Sequence, residues 1–477
     1  MKQITCLLIS LAFCHLSAGA QSYEAAGRKV DSLFSRYTRE TPGAAVAIVK
    51  EGRVIFRKGY GMAHLDHDIP VTPRTVFNIA SVSKQFTAFA VYLLESEGKL
   101  SFDDDVHRYI SELPDYGTPI RIRHLLAHTG GLRDQAALLS LAGWSQDAVT
   151  TEQIMKLVTR QTGTNFPAGT RFNYSNTGYT LLAEVVQRVS GKKFADFTRE
   201  RIFVPLGMTS TQFCDDHERI VRNKAESYER VGNAYHHKPL NVSNPGPSNL
   251  LTTVEDLARW VMNFEQPVVG TRALLDAFNA PSLLDDGSKV VLRVIGPDTI
   301  FHAKGQNVSN YKGTPMYSHG GHAAAFRTYM GRFPEHRFAI IALSNDEHNE
   351  SLNARWQIAD LYLPGLAKDN DAAPRPVTRA AAAPASYTSG PKAFEGTYYN
   401  EDLQTSYTLM LRNGQLLMTH PRVGDIVLQR TGEQQFSGSG PRTFAFELEF
   451  LHDRAGAVNA FSISNFGVKQ MKFVRVK

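Results

Sequence analysis

Apolar positions near the start of the chain recur every three to four residues: Val30, Leu33, Phe34 and Tyr37 share one side of a helix predicted over about 23–37. The pattern then becomes continuous in AAVAIVK (44–50) and resumes in RVIFRKG (53–59), with Glu51-Gly52 between them, which predicts a hairpin. Val76, Phe77 and Ile79 form an apolar, β-branched lead-in to a second helical pattern, Phe86, Phe89, Ala90, Leu93 and Leu94. From about Leu100 to Ile300 helical spacing and long loops dominate: LRDQAALLSLAGW (132–144), Ile154 to Val158, Leu181 to Val189, and Val254 to Phe264. Thr252 and Thr253 supply an N-cap for the last of these, with Glu255 and Asp256 in its first turn. After Tyr317 strands return in AFRTYMGRF (325–333) and RFAIIALS (337–344), joined by a turn at Pro334-Glu335-His336 and followed by a helix from about Leu352 to Leu363.

Strands at both ends of this region, separated by helices, predict one antiparallel sheet flanked by helices with a large helical region beside it: an α+β domain whose pocket lies between the two layers. From Lys368 to Pro391 the composition shifts to Ala, Pro, Asn and Ser, the mark of a linker (368–391). Beyond it Tyr407, Leu409 and Leu411 alternate, Asn413-Gly414 is a strong hairpin turn, and Phe444, Phe446, Leu448 and Phe450 alternate again. Short strands at this spacing predict a small all-β barrel domain over 392–477.

The bulk properties narrow the function classes. A 477-residue chain with 42% hydrophobic residues can bury more than one core. A formal charge of +6 spread along the length, without basic blocks, gives no nucleic-acid surface. Lys2, an apolar run from Ile4 to Leu16 and Ala18-Gly19-Ala20 have the layout of a secretory signal (1–20), with cleavage expected after Ala20. No later stretch is apolar enough for a transmembrane segment, so the mature chain is expected to be periplasmic or secreted. Cys6 and Cys14 fall within the signal, which leaves Cys214 alone and no internal disulfide.

Three short segments carry candidate chemistry. Ser81-Val82-Ser83-Lys84 opens the buried helix, so Ser81 and Lys84 sit one turn apart on one face. A desolvated lysine loses its proton readily and can activate a serine hydroxyl as a nucleophile. Ser96/Lys99, Ser190/Lys193, Ser309/Lys312 and Ser389/Lys392 match the same pattern, but none of them begins a long apolar helix. Tyr174-Ser175-Asn176 lies in a loop before the Leu181 helix; a phenol near Lys84 would share its proton, its pKa lowered by the cation, and the Asn176 amide would orient a substrate. Ser318-His319-Gly320-Gly321-His322 precedes the AFRTYMGRF strand, where two glycines let backbone approach a substrate and an edge can present N–H groups to an acyl oxygen. His128-Thr129-Gly130 matches the same short pattern and reads as a structural turn. His64, Asp66, His67 and Asp68 fall in an ordinary loop without a second matching cluster, so no metal site and no cofactor is expected.

SVSK, YSN and HGG in this order, with TVFNIASVSKQFTA, IRHLLAHTGGL, FPAGTRFNYSNTGY and LTTVEDLARW around them, resemble the serine β-lactamase-like superfamily over about residues 23 to 366. The likeness is nearest to its class C β-lactamase, D,D-peptidase and esterase branch. It implies a β-lactamase/transpeptidase-like domain over 21–367 and a lipocalin-like barrel behind it. By position it implies that Ser81 is acylated, that Lys84 and Tyr174 move its proton, and that Asn176 holds the substrate. His319 would assist, with Gly320, Gly321 and His322 lining the substrate site and backbone N–H groups of Ser81 and His322 forming the oxyanion hole. The departure is at His319, where class C enzymes carry the lysine of a K-[ST]-G motif that occurs nowhere in this chain. Histidine there favours an ester or a peptide-type amide, such as a D-amino-acid peptide, over a β-lactam. The expected partner is a small-molecule or peptide substrate, peptidoglycan-derived fragments among the candidates, with the oligomeric state left open. The alternative is a muropeptide- or penicillin-binding sensor with little or no turnover.

Overall fold

The computed structural model describes residues 23–144, 148–348, 350–366, 391–440 and 443–476. The expected signal at 1–20 and all but the last residue of the expected 368–391 linker lie outside the described residues.

The N-terminal hairpin forms because Glu51 (φ 53°) and Gly52 (φ 71°) both take the left-handed conformation of a tight primed turn between Ala44–Lys50 and Arg53–Tyr60. Ala44–Lys50 then pairs along its whole length with Phe338–Ser344 from the other end of the domain, Ala44 opposite Ser344 and Lys50 opposite Phe338. The resulting sheet is antiparallel and eight-stranded, with the N-terminal hairpin at one edge and four consecutive strands, Val291–Ile295, Asp298–Ala303, Gln306–Tyr311 and Thr314–Ala323, extending the other. Both central strands are buried on both faces, which explains their unbroken apolar runs. Ala45, Ala47, Val49, Ile341 and Leu343 face the helical layer, while Ala44, Val46, Ile48, Ile340 and Ala342 face a helix over 23–33 and the helix Glu350–Tyr362.

The sheet corrects one expectation: strands resume at Val291, not after Tyr317. Val291–Ile295 is almost wholly exposed and Asp298–Ala303 and Gln306–Tyr311 are half-exposed, so none shows alternation. Their signal lies in the turns, where Lys304-Gly305 and Lys312-Gly313 all take positive φ.

In the helical layer, Lys84–Ser96 is buried from Lys84 to Leu94, its Phe86 and Phe89 rings against Trp260 of Val254–Asn263 at centroid distances of 4.5 and 5.1 Å. Thr253 caps the latter helix, its Oγ1 accepting from Asp256 N–H at 3.1 Å, as its sequence predicts.

The C-terminal domain is a nine-strand antiparallel barrel over 396–475, near-closed at Leu428, the single residue between the two edge strands Gly424–Val427 and Gln429–Arg430. Its core extends into the first domain: Ala137, Leu138 and Leu141 of the helix Gln135–Leu141 pack among Phe394, Tyr407 and Phe473. Tyr407 donates to Leu141 O at 2.9 Å, and Arg133 pairs with Asp402 at 2.9 Å with both side chains only 10% exposed. Asp134 N–H donates to Gly467 O at 2.8 Å. Gly467 permits this approach, since a Cβ there would lie 2.6 Å from Asp134 Cβ.

Candidate active site

The turn before Ser81 is strained. Ala80 holds φ +48° while buried, a conformation that costs a β-carbon residue about 1–3 kcal/mol. Asn78 Oδ1 accepts the Ala80 N–H at 2.8 Å, and Thr328 Oγ1 donates to Ile79 O at 2.9 Å. Gly321 seats the sheet on this turn: a Cβ there would lie 2.4 Å from Ile79 O and 2.3 Å from Thr328 Oγ1. At Gly320 the nearest atom is 3.6 Å away, so only the second glycine is demanded by space. Ala80–Ser83 forms a 3₁₀ turn, leaving Ser81 half-buried one turn before Lys84 begins the α-helix.

Lys84 is fully buried, and its three ammonium positions are all directed. Nζ donates to Pro247 O at 2.7 Å and to Asn176 Oδ1 at 2.8 Å, and it lies 3.3 Å from Ser81 Oγ. The rings of Tyr174 and Tyr179 flank it at 4.8 and 5.6 Å. Burial pulls the ammonium down to about 7, against the Asp134 carboxylate, which favours the charged form. A substantial fraction of Lys84 is therefore free amine at neutral pH. Two of its hydrogens stay on Pro247 and Asn176, and its lone pair is left to face the Ser81 hydroxyl.

Asp134 closes the circuit behind Asn176. Its Oδ1 caps the helix Gln135–Leu141 through Ala136 and Ala137 N–H, and its Oδ2 accepts from Asn176 N–H at 2.6 Å and Nδ2 at 3.1 Å. Burial pushes its pKa up, and these donors with the Lys84 charge pull the other way. Both ends of the Asn176 amide are thus engaged, with Oδ1 taken by Lys84 and one Nδ2 hydrogen by Asp134. One hydrogen is left for a substrate.

Tyr174 hydrogen-bonds Ser81, but its acidity moves opposite to the expectation: burial, then Asp134, push the phenol well above its ordinary value, and only the hydrogen bond with Ser81 pulls the other way. It stands as a protonated donor. The His128 ring packs against Tyr174, tilted by 31° with centroids 4.4 Å apart, and His128 Nδ1 accepts from Ser175 N–H at 3.1 Å. His128 is therefore more than the turn its sequence suggests. His302 lies 4.9 Å from His128, and both rings are held neutral by burial, His302 down to about 3.

His319 is buried and lies 6.4 Å from the Tyr174 ring, its Nδ1 donating to Gly320 O at 2.5 Å and not to Tyr174. Burial, then the Lys84 charge, lower it to about 4, so it is a neutral imidazole near pH 7. The His322 side chain is exposed. Pairing of Thr314–Ala323 with Gln306–Tyr311 ends at Ser318 opposite Asn307, which leaves the 319–323 edge open beside Ser81.

Ser81, Lys84, Tyr174, Asn176 and His319 therefore converge, with Gly320 and Gly321 alongside. Sequence reasoning missed Asp134, His128 as a ring partner, His302 and the Pro247 carbonyl. Only Asp134 carried a local signal, as an acid opening an apolar helical run, and that signal reports the cap alone. A nucleophile, a free amine and a protonated phenol within one water-poor cleft can form and break an acyl bond.

Comparison with known proteins agrees with this chemistry. A family model described as Beta-lactamase matches residues 30–363. Penicillin-binding protein 4* of Bacillus subtilis (strain 168) is 28% identical over 329 residues, 64% of this chain and 68% of that protein. The D-aminopeptidase of Brucella ovis is 27% identical over 315 residues, 65% of this chain and 57% of that protein. The octameric penicillin-binding protein homologue from Pyrococcus abyssi superposes with a TM-score of 0.62 at 20% identity, over 95% of this chain and 99% of that one, so the likeness of fold includes the barrel.

Proposed function

This chain belongs to the beta-lactamase family of serine hydrolases, and from that premise we propose that it is an exported enzyme that forms an acyl-enzyme on Ser81 and hydrolyses an ester or a peptide-type amide. D-amino-acid peptides are the leading substrate class. One observation carries the reading: a buried lysine with a pKa of about 7 lies 3.3 Å from Ser81 Oγ, and its other hydrogens are already committed.

The steps follow from the protonation states. The Lys84 amine takes the Ser81 proton as Oγ attacks the acyl carbon, and the carbonyl oxygen becomes an oxyanion for the backbone N–H groups of Ser81 and His322. The Tyr174 phenol gives its proton to the departing amine or alkoxide and regains one from Lys84. Water attacking the acyl-enzyme repeats the transfer, and the acid leaves as Ser81 is restored.

Two features support the substrate class. His319 offers a neutral ring where a fixed positive charge would suit a substrate carboxylate, and a relative named D-aminopeptidase shares the domain. The open 319–323 edge can pair with an extended acyl group by strand addition. Export rests on the leader-like run from Lys2 to Ala20, and among the described residues no helix is long and apolar enough to cross a membrane.

The test pairs covalent labelling with turnover. A fluorophosphonate should label the wild type and not Ser81→Ala, and the same substitution should abolish hydrolysis of p-nitrophenyl acetate and D-alanine p-nitroanilide. Turnover retained in Ser81→Ala overturns the proposal. A lasting acyl adduct of the wild type with p-nitrophenyl acetate or D-alanine p-nitroanilide, seen by mass spectrometry without continued product release, would make the chain an acyl-binding sensor instead.

A further inference from the structure

A second cavity, of about 570 Å³, lies between the sheet and the helices Val254–Asn263 and Arg272–Asn279. That volume falls in the range of small-molecule sites, roughly 300–1,000 Å³. It is distinct from the cleft at Ser81, none of whose residues lines it. Thr328 abuts the Ser81 turn, and Arg332, four residues further along the same strand and on the same face, lies about 13 Å away at roughly 3.3 Å per residue.

The unusual feature of this cavity is Arg332. The side chain is buried, and its guanidinium carbon stands 3.4 Å from the Phe264 ring centroid and 5.2 Å from that of Tyr317. Nη2 donates to Asn279 Oδ1 at 2.8 Å and Gln306 Oε1 at 2.6 Å, both neutral acceptors. Among the described residues no carboxylate pairs with it, and burial lowers its pKa to about 9 with only the Tyr317 phenol opposing. Nε and Nη1 have no protein acceptor among those residues. The two rings fix the plane of the guanidinium, and because Nη2 is spent on Asn279 and Gln306, Nε and Nη1 remain as two separate charge-assisted donors, each able to take one carboxylate oxygen.

The remaining lining narrows the ligand. Val261, Phe264, Phe333, Phe338 and Ala339 give apolar walls. Arg272, Arg332 and Arg337 face Glu265 and Asp276, which leaves one positive charge in excess; Arg337 is already bound to Glu265 at 3.0 Å, and Arg272 donates to the Phe264 and Glu265 carbonyls. A polyanion would meet two acids, whereas a single carboxylate meets one free guanidinium. We propose that this cavity binds a small organic monocarboxylate with an apolar body, its carboxylate seated on Arg332 and its body against Phe264 and Phe338.

The full-length protein, first blocked at Ser81 with a phosphonate so that the catalytic cleft cannot contribute, is titrated calorimetrically with 4-phenylbutyrate and with its neutral amide. The carboxylate should bind saturably with a Kd below about 1 mM, and the amide and Arg332→Met should each weaken binding by roughly tenfold or more. Ala280→Trp, at an exposed lining position, narrows the cavity while leaving the buried charge in place, and it should abolish binding with ester turnover unchanged in unblocked protein. If Arg332→Met does not fold, the amide and Ala280→Trp decide alone. Failure of the carboxylate to saturate, equal affinity for acid and amide, or unaltered binding in Ala280→Trp overturns the proposal.

Discussion

Asp134→Asn separates the electrostatic part of the site from its geometry. The carboxylate reaches Lys84 through Asn176, across a 3.1 Å and a 2.8 Å hydrogen bond. Adding the amide's own span of about 2.3 Å places the two charges at most about 8 Å apart. At an effective dielectric of about 20, unit charges at that distance interact by about 2 kcal/mol, which corresponds to about 1.5 pH units. Asp134 favours the charged lysine, so removing its charge releases the proton at lower pH. The acid limb of kcat/KM, expected near pH 7 in the wild type, should therefore move down by about that amount. The amide introduced at 134 also turns a donor toward Asn176, whose N–H and Nδ2 both point at it; both lose their acceptor, at a cost of about 1–3 kcal/mol each. If only about 1.4 kcal/mol of that falls on the transition state, the plateau drops about tenfold. The assay is kcat/KM for p-nitrophenyl acetate from pH 4.5 to 9, with urea unfolding to verify folding. A folded variant whose acid limb stays at the wild-type position would refute Lys84 as the titrating base coupled to Asp134.

Gly321→Ala should lower kcat/KM at least tenfold and cost about 1–3 kcal/mol by pushing the strand off Ile79, whereas Gly320→Ala, with open space, should be near-neutral; equal effects in the two variants would contradict the close approach. Gly467→Ala, in the barrel, places a Cβ 2.6 Å from Asp134 Cβ and should slow burst-phase acylation several-fold at saturating substrate; an unchanged burst rate would show that the barrel contact does not reach Asn176. Stability should fall below pH 6.5, because His302 and His319 titrate at about 3 and about 4 in the fold, so the unfolded chain binds protons there that the native state does not. Stability from these groups is complete above the unfolded value and is lost as the pH drops, by about 3 kcal/mol for the pair between pH 6.5 and 5. Guanidinium unfolding at the two pH values measures it, with His128, also held neutral by burial, adding to the same fall, and His302→Phe should reduce the difference by about 1.5 kcal/mol; no reduction would contradict the assignment.

What the sequence revealed follows the range of the interactions concerned. The central strands, the buried helix after Ser81 and the Asn413-Gly414 turn rest on local periodicity or local backbone demands, and all appear where expected. The strands from Val291 to Tyr311 were hidden because an exposed edge hairpin needs no apolar alternation, only its Lys-Gly turns. The joining of Ala44–Lys50 to Phe338–Ser344 was readable because both segments are apolar on two faces and need neighbours on both sides. The direction of the Tyr174 shift was not readable. Proximity to a cation and loss of water act oppositely on a phenol, and only packing reveals that burial wins.

The same distinction explains why Asp134 is the least legible member of the site and a decisive one. Its helix-capping role is local and shows in the sequence, but its other oxygen fixes an amide 42 residues away, which no spacing rule reports. Its place in the chain adds a second constraint. Arg133, one residue before, is bound to Asp402 of the barrel; Asp134 N–H is held by Gly467; and the helix it caps buries Leu138 and Leu141 in the barrel core. Each of those leucines contributes about 1.5–3 kcal/mol by burial. The position of Asp134 is thus set from two sides, by these barrel contacts and by Thr177, whose Oγ1 accepts from Gln135 N–H at 2.8 Å and donates to Arg133 O at 2.7 Å, while Asp134 in turn orients Asn176 and raises the proton affinity of Lys84. The barrel therefore belongs to the machinery that readies the lysine, because it supplies part of the hold on the acid that fixes its amide acceptor.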